Sequence, residues 1–187
     1  MNKLVIGAVI GAAMFILAGC DTTSAIAPYA ASTPNVLAFQ SALKTKGATV
    51  KVGDFTADAG ATKPGCRLVG TLDVTSGKSI EQYIKDAMQT ELFTAQVYDV
   101  NAQVTINGRV DIIKVNTMGT GAWTLGMQVT SNVDPIGYHV QVNREFSTSY
   151  IATMACQNAT NAFAPSVQDL IGQVVNNPGF AKLTGRS

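Results

Sequence analysis

The chain reads as an α+β domain: a mostly antiparallel sheet with a three-strand meander and its helices packed on one face. Three observations predict this. Residues 102–115, 122–130 and 137–150 each alternate apolar and polar side chains, the period of a strand with one buried and one wet face. Residues 80–92 carry Ile80, Tyr83, Ile84, Ala87, Met88 and Leu92 at helical spacing. A second apolar helical pattern, from Ala155 to Val175, follows the strands. Helices confined to one face of an antiparallel sheet are the layer arrangement of an α+β domain.

The first segment is not part of that domain. Lys3 precedes an uninterrupted run of apolar residues and Gly over 4–18, the length of a signal-peptide core and short of the ~20 residues a spanning helix needs. The run ends in Leu17-Ala18-Gly19-Cys20. That tetrapeptide resembles the lipobox of bacterial lipoproteins, where the Cys thiol receives a diacylglycerol before cleavage. The resemblance implies a signal peptide over 1–19, lipidation of Cys20 and a domain held at a membrane surface. The alternatives are an ordinary secretory signal with a chance Cys, or a single-pass anchor. A single acyl chain holds a protein marginally and two or more hold it stably; the mature lipoprotein N-terminus, by resemblance, carries three. Asp21 resembles the signal that retains enteric lipoproteins on the inner membrane, with an outer-membrane location as the alternative and an incidental polar residue as the plain reading.

Residues 20–34 are rich in Ser, Thr, Ala and Pro, a composition suited to a flexible tether, and residues 35–187 are expected to form one domain. Without Lys3, the basic residues equal the 12 acidic ones. A neutral surface excludes the basic footprint of a nucleic-acid binder. Val36, Leu37, Phe39, Gln40 and Leu43 predict a short helix over 35–45, ended by Gly47. A strand is expected over 48–56, with an irregularity at Gly53-Asp54. Residues 57–65 are loop, and 66–74 a second extended segment.

Ser79 and Gln82 form a capping box opening the next helix. Glu81, Lys85, Asp86 and Glu91 fall outside its apolar stripe. In the first long strand Val104, Ile106, Val110 and Ile112 share one face. Trp123, Leu125, Met127 and Val129 do so in the second, and Tyr138, Val140, Val142 and Phe146 in the third. Turns are expected over 116–121 and 132–137. Strict alternation turns Arg144 inward, which requires either a rim position with the guanidinium reaching out or a bulge; the rim is the expectation. Pro165 is expected to kink or divide the C-terminal helix, and residues 176–179 to stop it. Phe180 and Leu183 are placed to dock the tail on the core.

With Cys20 committed to lipid, Cys66 and Cys156 remain as an even pair in an oxidising compartment and are expected to form a disulfide, two buried thiols being the alternative. Gly77-Lys78-Ser79 looks like the tail of a P-loop, but Leu72 occupies the position of the first Gly, so the segment reads as a turn and helix cap. Gly119-Thr120-Gly121 reads as a hairpin turn. His139, the sole His, sits on a polar strand face with no second His for a metal site. Asn158-Ala159-Thr160 matches a glycosylation acceptor but falls inside a predicted helix. No catalytic set, cofactor motif or metal cluster is apparent, and an enzyme is not expected.

Residues 48–183 resemble the small α+β envelope lipoproteins of Proteobacteria, including YajG-type proteins. The resemblance rests on Ile80-Glu81-Gln82-Tyr83-Ile84 with Glu91-Leu92, the strand meander and the Cys156-bearing helix. It implies a periplasm-facing location and a fold more than a function; a non-enzymatic accessory or assembly component with a protein partner is the expectation. A binding module for a lipid, glycan or peptide is the alternative. An exposed apolar patch would favour the protein partner.

The lipobox reading predicts that Cys20→Ser protein loses acyl labelling and runs as uncleaved precursor in cells. Normal labelling of that variant would contradict it.

Overall fold

A computed structural model describes residues 28–61 and 64–186. The expected signal peptide, Cys20 and Asp21 lie outside the described residues. The element order is α1 (Thr33–Ala42), a short 3-10 turn (Lys44–Lys46), β1 (Val50–Ala57), β2 (Gly65–Cys66), β3 (Gly70–Thr71), α2 (Ile80–Thr94), β4 (Val104–Asn116), β5 (Gly121–Ser131), β6 (Tyr138–Phe146), α3 (Ala152–Asn176) and α4 (Phe180–Leu183). The main sheet has strand order β1-β4-β5-β6, and β2 and β3 form a separate two-stranded hairpin. The fold is α+β with a mostly antiparallel sheet, as the alternation predicts.

The β4-β5-β6 meander is antiparallel throughout. β1 joins it in parallel with β4, a pairing alternation does not foretell. Parallel neighbours need a long crossover, and α2 supplies it while packing on β1. α3 lies over β5 and β6, and α1 packs on α3. The core between helices and sheet holds Trp123, Leu125, Met127, Ile84, Met88, Phe163, Leu170 and Ile171, all fully buried.

Two irregularities shape the sheet. The β1–β4 register shifts between Val52 and Phe55, at the expected Gly53-Asp54. Asn107 fills the bulge: its Oδ1 accepts from the Asp54 N–H at 2.9 Å, and a Cβ at Gly53 would collide with that oxygen. The second shift, between Val110 and Ile112 in β4, corrects the expected face. Ile106 and Val110 point inward, but the bulge moves the inward phase to Ile113, leaving Ile112 half-buried beside Gly126. β6 keeps a continuous register against β5, with Trp123 opposite Arg144. Arg144 lies at the rim and reaches Asp169 on α3 at 2.6 Å, as the snorkelling reading requires.

The C-terminal helix is not divided at Pro165. The proline is half-buried rather than in the core stripe, and the carbonyl it cannot serve belongs to Asn161, on the exposed side where water can satisfy it. Phe163, Val167 and Leu170 on the other side hold the helix to the core. α3 ends at Asn176, and Phe180 and Leu183 are buried, Phe180 lying 5.8 Å from the Phe39 ring.

Glu91 is the clearest departure from the helical pattern. It is fully buried. Its Oε1 accepts from the Tyr29 hydroxyl at 2.7 Å, the Ser32 backbone N–H at 2.9 Å and the Asn35 amide at 3.2 Å. Gln168 adds a bond to the Ala30 carbonyl at 2.9 Å. The packed domain therefore reaches upstream of Asn35, with residues 29–32 strapped across α2 and α3. Burial, then the Glu91 contact, pushes the Tyr29 phenol well above its usual range. Glu91 Oε2 and the Tyr83 hydroxyl are buried with no protein partner among the described residues.

Cys66 and Cys156 are joined in a disulfide, Cα–Cα 5.9 Å, between β2 and the first turns of α3. It closes a sequence separation of 90 residues, for which chain entropy gives an upper figure of roughly 4–5 kcal/mol. Cys66→Ser or Cys156→Ser should lower stability by up to that amount in denaturant titration. Non-reducing mass spectrometry of the unmutated protein should yield the linked peptide pair.

Candidate functional site

The wet face of the sheet carries the sequence-predicted polar residues, and the structure pairs most of them locally. His139 Nε2 lies 3.0 Å from an Asp111 oxygen, across β5, and Arg109 meets Asp58 at 2.9 Å beyond the sheet's β1 side. Gln128 donates to the Ile136 carbonyl at 2.8 Å and Asn143 to the Thr124 hydroxyl at 3.0 Å. Among the described residues, no Ser or Cys side chain hydrogen-bonds the His139–Asp111 pair. Among the described residues, no group of three or more His, Cys, Asp or Glu is placed to hold a metal. Trp123 is fully buried, Tyr138 donates to the Val174 carbonyl at 2.8 Å, and Phe146 packs over Gly121.

The Gly77-Lys78-Ser79 turn already holds an anion, supplied by the chain itself. Asp73 Oδ1 accepts from the backbone N–H groups of Thr75 at 3.0 Å and Gly77 at 3.3 Å. These bonds, Thr75 first, hold the Asp73 carboxyl below its ordinary value. Lys78, which a P-loop would aim at phosphate, pairs with Asp86 at 2.6 Å, and the Ser79 hydroxyl accepts from the Gln82 N–H at 3.4 Å. The helix cap reading describes this turn.

The feature that sequence reasoning missed is at the disulfide end. There the β2–β3 hairpin, the β4–β5 turn, the segment 147–151 and the start of α3 meet around Arg67. Its guanidinium donates to the Thr117 carbonyl, to the Thr148 hydroxyl at 3.2 Å and, at 3.5 Å, to the Tyr150 carbonyl. Arg67 is itself at φ +32°, a region few side chains adopt, and is held there between the disulfide and these bonds. Around it stand six exposed apolar side chains: Leu68, Val69, Met118, Tyr150, Ile151 and Met154. Leu68 is 96% exposed and Tyr150 is fully so.

Three of the six sit where the pattern described something else. Leu68 and Val69 were expected in an extended segment, yet only 65–66 and 70–71 pair there. Tyr150 was expected in the third strand, but β6 stops at Phe146 because its partner β5 begins opposite, at Gly121. Met118 is an apolar residue at the centre of a turn, which is the signal that could have marked this end. A cleft of about 660 Å³ adjoins the rim at Tyr150, lined by Arg67, the Gly119-Thr120 turn and the continuous run 145–150.

No family model and no curated protein matches this chain. Among solved structures, it is similar to the crystal structure of protein XCC0632 from Xanthomonas campestris, family DUF330. The TM-score is 0.50 at 12% identity, covering 73% of this chain and 85% of that one. A structure described only as an uncharacterized protein gives a TM-score of 0.42 at 9% identity, covering 67% of this chain and 92% of that one. At such identity the first likeness shows the fold alone.

Asp73 predicts a pH signature. Its lowered folded value means that its stabilisation is present above the ordinary value of 3.8 and is lost as pH falls through the folded one. Asp73→Asn should therefore melt lower than wild type near neutrality, with the gap narrowing below about pH 4. Melting temperature against pH reads both.

Proposed function

We propose that this chain is a lipid-anchored envelope protein that works by binding a protein partner, not by catalysis. The observation that carries the reading is the apolar rim at the disulfide end. Scattered single apolar residues are ordinary on a protein surface, whereas six on converging loops make a patch of the kind that marks an interaction site. The loops are also held firm. The disulfide, the Arg67 bonds and the Thr148 hydroxyl bond to the Thr117 carbonyl at 2.8 Å fix their backbones to one another. Rigid presentation lowers the ordering cost of association.

The anchor belongs to the same proposal. The lipobox residues and the adjoining Asp21 support attachment through Cys20, with the inner membrane favoured. The strap at residues 29–32 crosses α3 at Gln168, fourteen residues along the helix from Met154, or about 21 Å at 1.5 Å per residue.

Photo-crosslinkers placed at Leu68 or Met118 in cells should capture a discrete protein adduct, and one at Gln141, on the wet face, should not. Leu68→Ser with Met118→Ser should impair complementation of a deletion without shifting the melting temperature, because both side chains are exposed. His139→Ala should complement fully. Loss of function in a folded, correctly localised His139→Ala protein would overturn the non-catalytic reading.

A further inference from the structure

We propose that the cleft beside the apolar rim takes a peptide segment of the partner in which an acidic side chain is flanked by apolar ones, the carboxylate meeting Arg67. The inference rests on the protein-binding reading of this face and adds the chemistry of what binds.

Charge is the first argument. Arg109 meets Asp58, Arg144 meets Asp169, Lys78 meets Asp86 and Lys182 meets Asp134, whereas Arg67, like Arg186, is in no ion pair among the described residues. Arg67 has only neutral oxygens, from Thr117, Thr148 and Tyr150, and its Nε is buried with no partner among the described residues. A half-buried guanidinium without a counter-charge gains from a carboxylate more than an exposed one does. At least one Nη1 donor remains uncommitted beyond its long bond to Tyr150, so a carboxylate has a hydrogen to accept.

The backbone is the second argument. One wall of the cleft is the continuous run 145–150. Beyond the end of β6, the N–H groups of Ser147, Thr148, Ser149 and Tyr150 donate to no protein acceptor among the described residues. A row of unpaired amides beside a sheet edge suits the main chain of a peptide. Tyr150, which belongs to both the rim and the cleft, and Phe146 in the same wall then offer apolar surface beside the carboxylate. Glu145, in the same wall, repels a second acid and so favours one placement of the carboxylate, on the Arg67 side. A lipid surface fits less well, because a concave cleft with a carboxylate in its wall offers a flat bilayer few contacts.

Random heptapeptides displayed on phage without a free C-terminus would be panned against the full chain purified in mild detergent. Counter-selection would use the Leu68→Ser/Tyr150→Ser variant, which should melt like wild type because both side chains are exposed. Face-dependent binders should share one Asp or Glu between apolar residues. A synthetic consensus peptide should bind about tenfold more weakly when its acid is replaced by the amide, the loss expected for a charged hydrogen bond. Arg67→Gln should show the same loss, but as Arg67 also holds loops together, the peptide-side substitution decides. Face-dependent binders without an acid, or no face-dependent binders at all, would overturn this inference and leave protein binding at the rim standing. Binding to phosphatidylglycerol vesicles that the double variant loses would overturn both, by giving the face to a bilayer.

Discussion

Trp123 donates its indole N–H to the Ala159 carbonyl at 2.7 Å, from the start of β5 to the N-terminal third of α3. That bond meets the polar requirement of the largest fully buried side chain and fixes the helix over β5 and β6. The Phe163 ring lies 5.1 Å from Trp123, Tyr83 lies 5.4 Å from Phe163, and Tyr29 lies 6.1 Å from Tyr83. A column of aromatic rings thus runs from the sheet through α3 and α2 to the strap. The position of α3 governs what gathers along it: Cys156 with the disulfide near its start, and Gln168 with the strap further along.

The two places use different physics. At the strap, a buried carboxylate gathers three donors and holds the chain through hydrogen bonds to charge, which are stronger than neutral ones. Gly172 permits the close approach of α1, because a Cβ there would press on Asn35 Oδ1 at 2.8 Å. At the disulfide end, an arginine serves neutral oxygens and a covalent bond holds the hairpin, so the apolar side chains are free to face water. One spends its charge on internal bonds, whereas the other leaves a charge and a row of amides uncompensated.

Much of the fold was legible because its signals are local. The strand alternation, the Ser79 cap, the stop after Asn176 and the rim position of Arg144 follow from side-chain period and backbone chemistry within a few residues. The disulfide was legible from the pairing of the two remaining cysteines. The candidate site was not. Leu68, Met118, Tyr150 and Ile151 come from three separate loops, and no window of sequence contains all three together with Arg67. Glu91 was misread for the same reason, since its partners lie 56–62 residues upstream.

The sequence by itself determined the N-terminal motif, the fold class, the helix and strand content and the absence of a P-loop register, because each depends on residue type at short spacing. Tertiary structure alone decided four other matters. β1 pairs in parallel with β4, a choice made by the α2 crossover. The bulge after Val110 moves Ile112 out of the core, since register belongs to a pair of strands and not to one. The helix through Pro165 stays continuous, because packing on one face and solvent on the other remove the cost of the missing N–H. Arg67 ends without an ion pair because long-range packing sets which charges meet, and here its guanidinium meets the oxygens of Thr117, Thr148 and Tyr150 while Glu145 lies elsewhere in the cleft wall.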